Sequence, residues 1–504
     1  MAFLFGSKKK NEEAKKSPEL IAPTAPPAAL KPAPAPGPGG QGRARTLGEL
    51  KASGYKPVSI REEMRRNLIA RIKDKKPIFS GIIGYDNTVI PQVENAVLSG
   101  QNIIFLGERG QAKSRVMRLL IGLLDEYIPV IHGCEINDNP LDPICKSCRE
   151  KVAKDGNNTE IAWLHRRDRY GEKLATPDTT IADLIGDVDP IKVAEGRYLS
   201  DELTMHYGII PRTNRGIFCI NELPDLAERL QVGLFNLLEE ADIQIKGYRV
   251  RLPLDIILVA SANPEDYTSR GRIITPLKDR FGSQIRTHYP VTIKDEIAIV
   301  EQEWQRFADG EIEFYVPDYI KEIIAEITHL ARRSPDIGQR SGVSVRVSIA
   351  NMETVVANAI RRATMLNEKL AVPRITDLPY IIASTTGKVE MEGFEEKNEQ
   401  KIIDDITKRA VLAVFNRRLS FEDLDPIVKQ FNGGFNVETS ENMSAKNYVK
   451  YYKEIPGMAK TVKKLTDKEA PEILASVVEF ILEGAHLNKR LNKTKVEGKT
   501  IYRH

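Results

Sequence analysis

A three-layer α/β domain on a parallel sheet, extended by helical regions, is the architecture expected of this 504-residue chain. Three observations carry it. Short apolar runs alternate with helical patterns from residue 77 to residue 290, as strand–helix–strand crossovers require. One run, Ile103-Ile104-Phe105-Leu106, passes directly into the glycine-containing stretch GERGQAKS and then into the helical pattern Arg115 to Leu120. Beyond about residue 292 the pattern is helical almost to the end.

From the N-terminus, residues 1–46 are rich in Pro, Ala and Gly and too poor in apolar side chains to bury a core, so a disordered tail is expected. Residues 47–76 read as a charged helical arm, and 77–290 as the strand-and-helix core. Thr292 with Asp295 marks a helix start, opening an all-helical lid over 291–390. Residues 395–490 read as a further helical domain, interrupted by a loop from Gln430 to Asn442. No internal repeat is visible.

Composition bounds the class. The length allows about three domains; 41% hydrophobic and 29% charged residues describe a soluble globular chain. A net charge of +4 does not argue for nucleic acid. No apolar run approaches the ~18 residues a membrane span needs. Met1 to Phe5 is too short for a signal sequence, and the lysines come after it. Four cysteines do not make a disulfide scaffold, and the cytoplasm is the expected location.

Strand, glycine loop, Lys-Ser and helix form the layout of a P-loop. Gly107, Glu108, Arg109, Gly110, Gln111 and Ala112 would present backbone N–H groups to phosphate oxygens at a helix N-terminus. Lys113 would reach the β- and γ-phosphates, and the Ser114 hydroxyl would sit on Mg²⁺. Ala112 stands where this loop usually has its last glycine, a change that costs little if φ stays negative. Gly216 to Ile220 is a second apolar strand, ending in Asn221-Glu222. ATPases of this class place there an Asp for the metal and then a Glu that polarises water. Asn221 keeps an oxygen but loses the charge, so weaker Mg²⁺ binding is expected. A third strand, Ile256 to Ser261, leads to Asn263, placed to orient water; Thr275 to Phe281 sets Arg280 at the end of a short helix.

In this order the elements resemble the AAA+ ATPases, in the branch of the MoxR proteins and the magnesium-chelatase ATPase subunit, over roughly residues 77–365. The resemblance implies that GERGQAKS is Walker A, that Asn221 and Glu222 are Walker B, and that Asn263 is sensor 1. It implies further that Arg280 is the arginine finger reaching a neighbouring subunit and that Arg346, in SGVSVRVS, is the sensor 2 arginine. Leu234 to Leu252, around Gly247, resembles the hairpin before sensor 1, and Ala182–Asp187 with Tyr207–Gly216 the helix-2 insertion. The cofactors implied are ATP and Mg²⁺, and the assembly implied is a homo-oligomeric ring, read as a hexamer by analogy. Two kinds of work are known in the branch: remodelling of a partner with a von Willebrand type A domain, and insertion of Mg²⁺ into a porphyrin. The C-terminal helices and the tail favour the first. The chain lacks the DxSxS motif of such a domain, so the partner would be another polypeptide. A nucleotide-binding scaffold with little hydrolysis is the rival, because Ala112 and Asn221 both weaken the site.

An insertion at 132–165 carries His132-x-Cys134 and Cys145-Lys146-Ser147-Cys148. Thiolates two residues apart can share one tetrahedral Zn²⁺, and the Asn/Asp/Pro-rich segment between is a loop former. A structural zinc on His132, Cys134, Cys145 and Cys148 is expected, with His165 able to replace His132. Reduced thiols or a redox pair are the alternatives. Cys219, inside a strand, reads as a core residue.

Overall fold

The computed structural model describes residues 43–189, 202–240, 242–244, 251–263, 272–305, 312–338, 342–391, 396–496 and 498–504, with the backbone alone for 235–240, 242–244, 251 and 396–398. The fold is that of the unit Ala44–His504. The tail expected over 1–46, the tip of the hairpin at Gly247 and residues 264–267 of SANPEDY lie outside the described residues, apart from the last few of the tail.

The central sheet has five parallel strands: β1 (Ile103–Leu106), β2 (Tyr170–Leu174), β3 (Gly216–Asn221), β4 (Ile256–Ala262) and β5 (Ser283–Arg286), in the order β5-β1-β4-β3-β2. Ile103 pairs with Val259 and with Ser283, Ile256 with Gly216, and Tyr170 with Ile217. β4 is buried at all seven positions and β3 at five of six, the near-continuous apolar run of a strand covered on both faces. Alternate residues divide between two cores. Ile103, Phe105, Ile217, Cys219, Ile257 and Val259 face the helices Ile60–Lys73, Val89–Leu98 and Lys113–Leu119. Ile104, Phe218, Ile220, Leu258 and Ala260 face the cysteine-containing insertion and the segments around Leu184, Ile210 and Leu230. Cys219 is thus a core residue, fully buried.

The helix Ile60–Lys73 starts on a Ser59–Glu62 capping box and buries Ile60, Met64 and Leu68. Its buried Glu63 meets Arg169 in a two-pronged ion pair of 2.7 and 2.6 Å. Arg169 Nε also donates to the carbonyl of Arg215, so the starts of β2 and β3 share one anchor. The insertion between them contains the helix Ile181–Leu184 and a strand pair, Gly186–Val188 with Met205–Tyr207. Asp242–Gln244 pairs antiparallel with Arg251–Pro253, as a hairpin centred near Gly247 requires.

The helix Ile293–Glu303 begins at Thr292, whose hydroxyl accepts from Asp295 N at 3.1 Å. It packs with Asp318–Ala331 and Arg346–Met365. Buried Glu296 joins the three through Arg332 (2.8 Å), His329 (3.5 Å) and Ser348 (2.7 Å). These helices share one hydrophobic core with the C-terminal helices, Glu396–Arg418 and Pro471–Leu487 among them; Tyr319 stacks on Phe480 at 4.4 Å. To the helices the structure adds two pieces of sheet: a parallel pairing of Glu313–Phe314 with Leu370–Ala371, and an antiparallel trio, Val437–Thr439, Lys499–Arg503 and Asn492–Val496. Short length and the absence of a clear two-residue period hide such strands in a sequence.

Candidate nucleotide-binding site

β1 ends at Leu106, and the loop Gly107–Ala112 turns the chain into the helix Lys113–Leu119. The loop is held close to its neighbours. A Cβ on Gly107 would lie 1.9 Å from Thr287 Oγ1, and one on Gly110 (φ +77°) 1.9 Å from Ser344 Oγ. Gln111, buried, accepts from Glu108 N (3.1 Å) and from Thr287 Oγ1 (2.7 Å), which fixes the loop to the end of β5. Tyr289 OH donates to the Arg109 carbonyl at 2.9 Å. Ala112 corrects an expectation: its φ is +55° and ψ 14°, so the backbone keeps the left-handed turn that a glycine would adopt freely. A Cβ there costs about 1–2 kcal/mol.

The chemistry-bearing side chains converge at the ends of β1, β3 and β4. Lys113 Nζ is buried and donates to the Gly107 carbonyl, the Glu108 carbonyl (2.8 Å) and Asn263 Oδ1 (2.6 Å). Asn263 Nδ2 donates to Glu222 Oε2 at 2.8 Å. The cation on one side and the carboxylate on the other set the amide's orientation. Glu222 has φ +54°, a sparsely populated conformation of the kind that gathers at functional sites. Ser114 Oγ donates to Asn221 Oδ1 at 3.1 Å, as does Ser261 Oγ.

Sequence reasoning missed Glu172. It lies on β2, in register with Cys219 of β3, and its Oε1 accepts from Asn221 Nδ2 at 2.6 Å. Arg118 grips the same carboxylate with two bonds of 2.8 Å. Burial pushes the Glu172 carboxyl up, but Arg118 and the Asn221 and Tyr170 hydrogen bonds outweigh it and hold the group below the usual range. Only strand pairing places it here, and the sequence signal was no more than a carboxylate in a short run, YGEKL.

Both candidate arginines stand at helix ends. Arg346 is exposed and opens the helix Arg346–Met365. The loop before it rests on the P-loop: Ser344 abuts Gly110, and a Cβ on Gly342 would lie 2.2 Å from Glu108 Oε2. Arg280 ends the helix Thr275–Arg280, with its side chain 29% exposed and 3.7 Å from Asp279. A cavity of about 390 Å³ beside the loop is lined by Leu106, Gly107, Glu108, Gln111, Thr287 and two cations, Lys278 and Arg286. Cradle glycines without room for a Cβ, a buried lysine and a cationic cavity fit a Mg²⁺-nucleotide.

On the other core face, the thiols of Cys134, Cys145 and Cys148 gather with Asp138, one donor atom from each lying within 4.8 Å of the others. His132, expected beside the three thiols, is not in this group; Asp138 is. His132 comes directly after the strand Tyr127–Ile131, gives its backbone N–H to the Glu160 carbonyl, and turns its ring to Glu160 at 3.7 Å. Ile131 N–H instead reaches back to the Asp138 carbonyl at 3.3 Å, bringing Asp138 close to Cys134. His165 accepts from Arg167 N and packs its ring on Tyr127.

No protein-family model matches the chain. Curated relatives do. Magnesium-chelatase subunit ChlI-2 of Arabidopsis thaliana is 29% identical over 258 residues, 47% of this chain and 54% of that protein. The magnesium-chelatase 38 kDa subunit of Cereibacter sphaeroides is 26% identical over 241 residues, 45% and 63% of the two. The ChlI homolog of Methanocaldococcus jannaschii is 28% identical over 234 residues, 44% and 58%. The chain therefore spans a little over half the length of these relatives. Among solved structures, the BchI–BchD complex of magnesium chelatase aligns over 64% of this chain and 98% of that chain, at 18% identity and a TM-score of 0.34.

Proposed function

We propose that this AAA+ protein of the magnesium-chelatase and MoxR branch is an ATP hydrolase that works as a ring, a hexamer in our reading, and remodels a partner protein. The observation that carries the proposal is the hydrogen-bonded series Lys113–Asn263–Glu222. The loop amides and Lys113 would hold the phosphates of ATP. Ser114 and the Asn221 carbonyl oxygen would hold Mg²⁺. Bound Mg-ATP supplies the phosphoanhydride whose hydrolysis drives the work. Asn263 fixes the Glu222 carboxylate, which accepts the proton of the attacking water. A scaffold that never hydrolyses would have no use for a water-polarising Glu222 held in this way.

The partner in this reading carries a von Willebrand type A domain, and the setting is the cytoplasm; among the described residues no helix is long and apolar enough to cross a membrane. A second reading, an ATPase subunit of a magnesium chelatase acting on a porphyrin, is favoured by the names of the sequence relatives.

Arg280 tests the ring. If it completes a neighbour's site, Arg280→Ala binds ATP but hydrolyses it at least about 10³-fold more slowly. Mixing Arg280→Ala with Lys113→Ala subunits restores part of the turnover, because mixed interfaces unite an intact loop with an intact arginine. Turnover independent of protein concentration, with no rescue on mixing, would contradict the ring.

A further inference from the structure

We propose that Cys134, Asp138, Cys145 and Cys148 bind one Zn²⁺ ion, and that the ion fastens the insertion to the segment leading into β3. The donor set is compact enough. Zinc–sulfur bonds of about 2.3 Å and a zinc–oxygen bond of about 2.0–2.2 Å set tetrahedral donor separations of roughly 3.5–3.8 Å, and the four donors already lie within 4.8 Å of one another. Asp138 is wholly buried. One oxygen accepts from Cys145 N at 3.0 Å, and the other has no hydrogen-bond partner. A bare buried carboxylate oxygen is costly, and a cation among three sulfurs removes the cost.

The surroundings suit thiolates. Asp138 N–H points at Cys134 Sγ and Cys148 N–H at Cys145 Sγ, each at 3.3 Å. Cys145 caps the helix Lys146–Asp155, whose N-terminal dipole favours negative charge. Three sulfur donors select a soft divalent ion over Mg²⁺. All four ligands come from the protein, and Asp138, Cys145 and Cys148 are buried, which is the closed arrangement of a structural site.

The consequence lies at the sheet. Asn214 Nδ2 donates to the Ile136 carbonyl (3.0 Å), and Asn137 Nδ2 to the Arg212 carbonyl (2.7 Å). Ile136, Cys145 and Cys148 share one core with Phe218 and Ile220 of β3. The knuckle is therefore a brace on the strand that delivers Asn221 and Glu222. The value of that brace to hydrolysis rests on the nucleotide-site reading; metal binding does not.

The experiment uses the full-length protein purified without chelator. Elemental analysis is expected to find one zinc per chain. Stripped protein titrated with Co²⁺ is expected to show thiolate-to-cobalt charge-transfer absorption with tetrahedral ligand-field bands. Asp138→Asn is expected to lower zinc affinity roughly 10-fold or more in competition with a chromophoric chelator, while His132→Ala leaves it unchanged. Asp138→Cys, the control if Asp138→Asn folds poorly, retains zinc and strengthens the charge-transfer band. Stripping should speed amide exchange at 134–148 and 209–216 and leave β1 unchanged. A chain that takes up no zinc, with freely titrating thiols or a disulfide, overturns the site. Loss of metal in His132→Ala but not in Asp138→Asn overturns the ligand set. Unchanged exchange at 209–216 overturns the brace.

Discussion

Asn221 Nδ2 donates to Glu172 Oε1 at 2.6 Å across the β2–β3 pair, while its Oδ1 receives the Ser114 and Ser261 hydroxyls at 3.1 Å. The amide is thereby held with its oxygen toward the P-loop serine. The carboxylate that meets this amide stands one strand away, on β2, paired with Arg118.

Swapping these two residues tests whether they act together. Glu172→Gln is expected to raise the Mg²⁺ concentration needed for nucleotide binding. Asn221→Asp alone is not expected to lower it, because two carboxylates in contact push one pKa up. The double variant Asn221→Asp with Glu172→Gln restores one charge and is expected to return to the parent requirement or below. Mg²⁺ titrations of fluorescent-nucleotide binding report this without turnover. A lower requirement in Asn221→Asp alone would show that Glu172 carries no share.

Ala112→Gly removes a Cβ from a left-handed position and is expected to stabilise the protein by about 1 kcal/mol despite the extra freedom of the unfolded chain. Denaturant midpoints measure it. A lower midpoint would mean that the Ala112 side chain contributes packing that outweighs its strain.

Glu296 supplies a pH dependence. Burial pushes its carboxyl up, but His329, Arg332 and Ser348 outweigh it and hold the group below the usual range. A depressed native pKa stabilises above the unfolded value, about 4.3, and that stability is lost as pH falls through the native value. Glu296→Gln is expected to lose about 3 kcal/mol at neutral pH, since Arg332 is left without its charge partner, and to lose less than the parent on acidification. Parallel acid curves for the two proteins would contradict this.

The site was legible where chemistry sits on the ends of single elements. Asn221, Glu222 and Asn263 each come at or just beyond the end of an apolar run, Lys113 opens the helix after the loop that follows another, and parallel strands carry such ends to one edge. What escaped depends on neighbours distant in sequence. Glu172 reaches Asn221 only through the β2–β3 register. Asp138 rather than His132 lies beside the three thiols because a loop closes on Ile131, which no cysteine spacing announces. Ala112 has a positive φ in a loop whose Gly110 and Gln111 lie against Ser344 and Thr287, and residue type alone pointed the other way.

The most direct test of the ATPase assignment is single-turnover phosphate release from Mg-ATP by the parent protein and by Glu222→Gln, with Lys113→Ala as the binding control. The parent is expected to release phosphate, and Lys113→Ala to bind no nucleotide. Glu222→Gln is expected to bind ATP as the parent does and to release phosphate about 10²–10⁴-fold more slowly. Release at the parent rate from Glu222→Gln, or none from the parent itself, would contradict the assignment of this site as an ATPase.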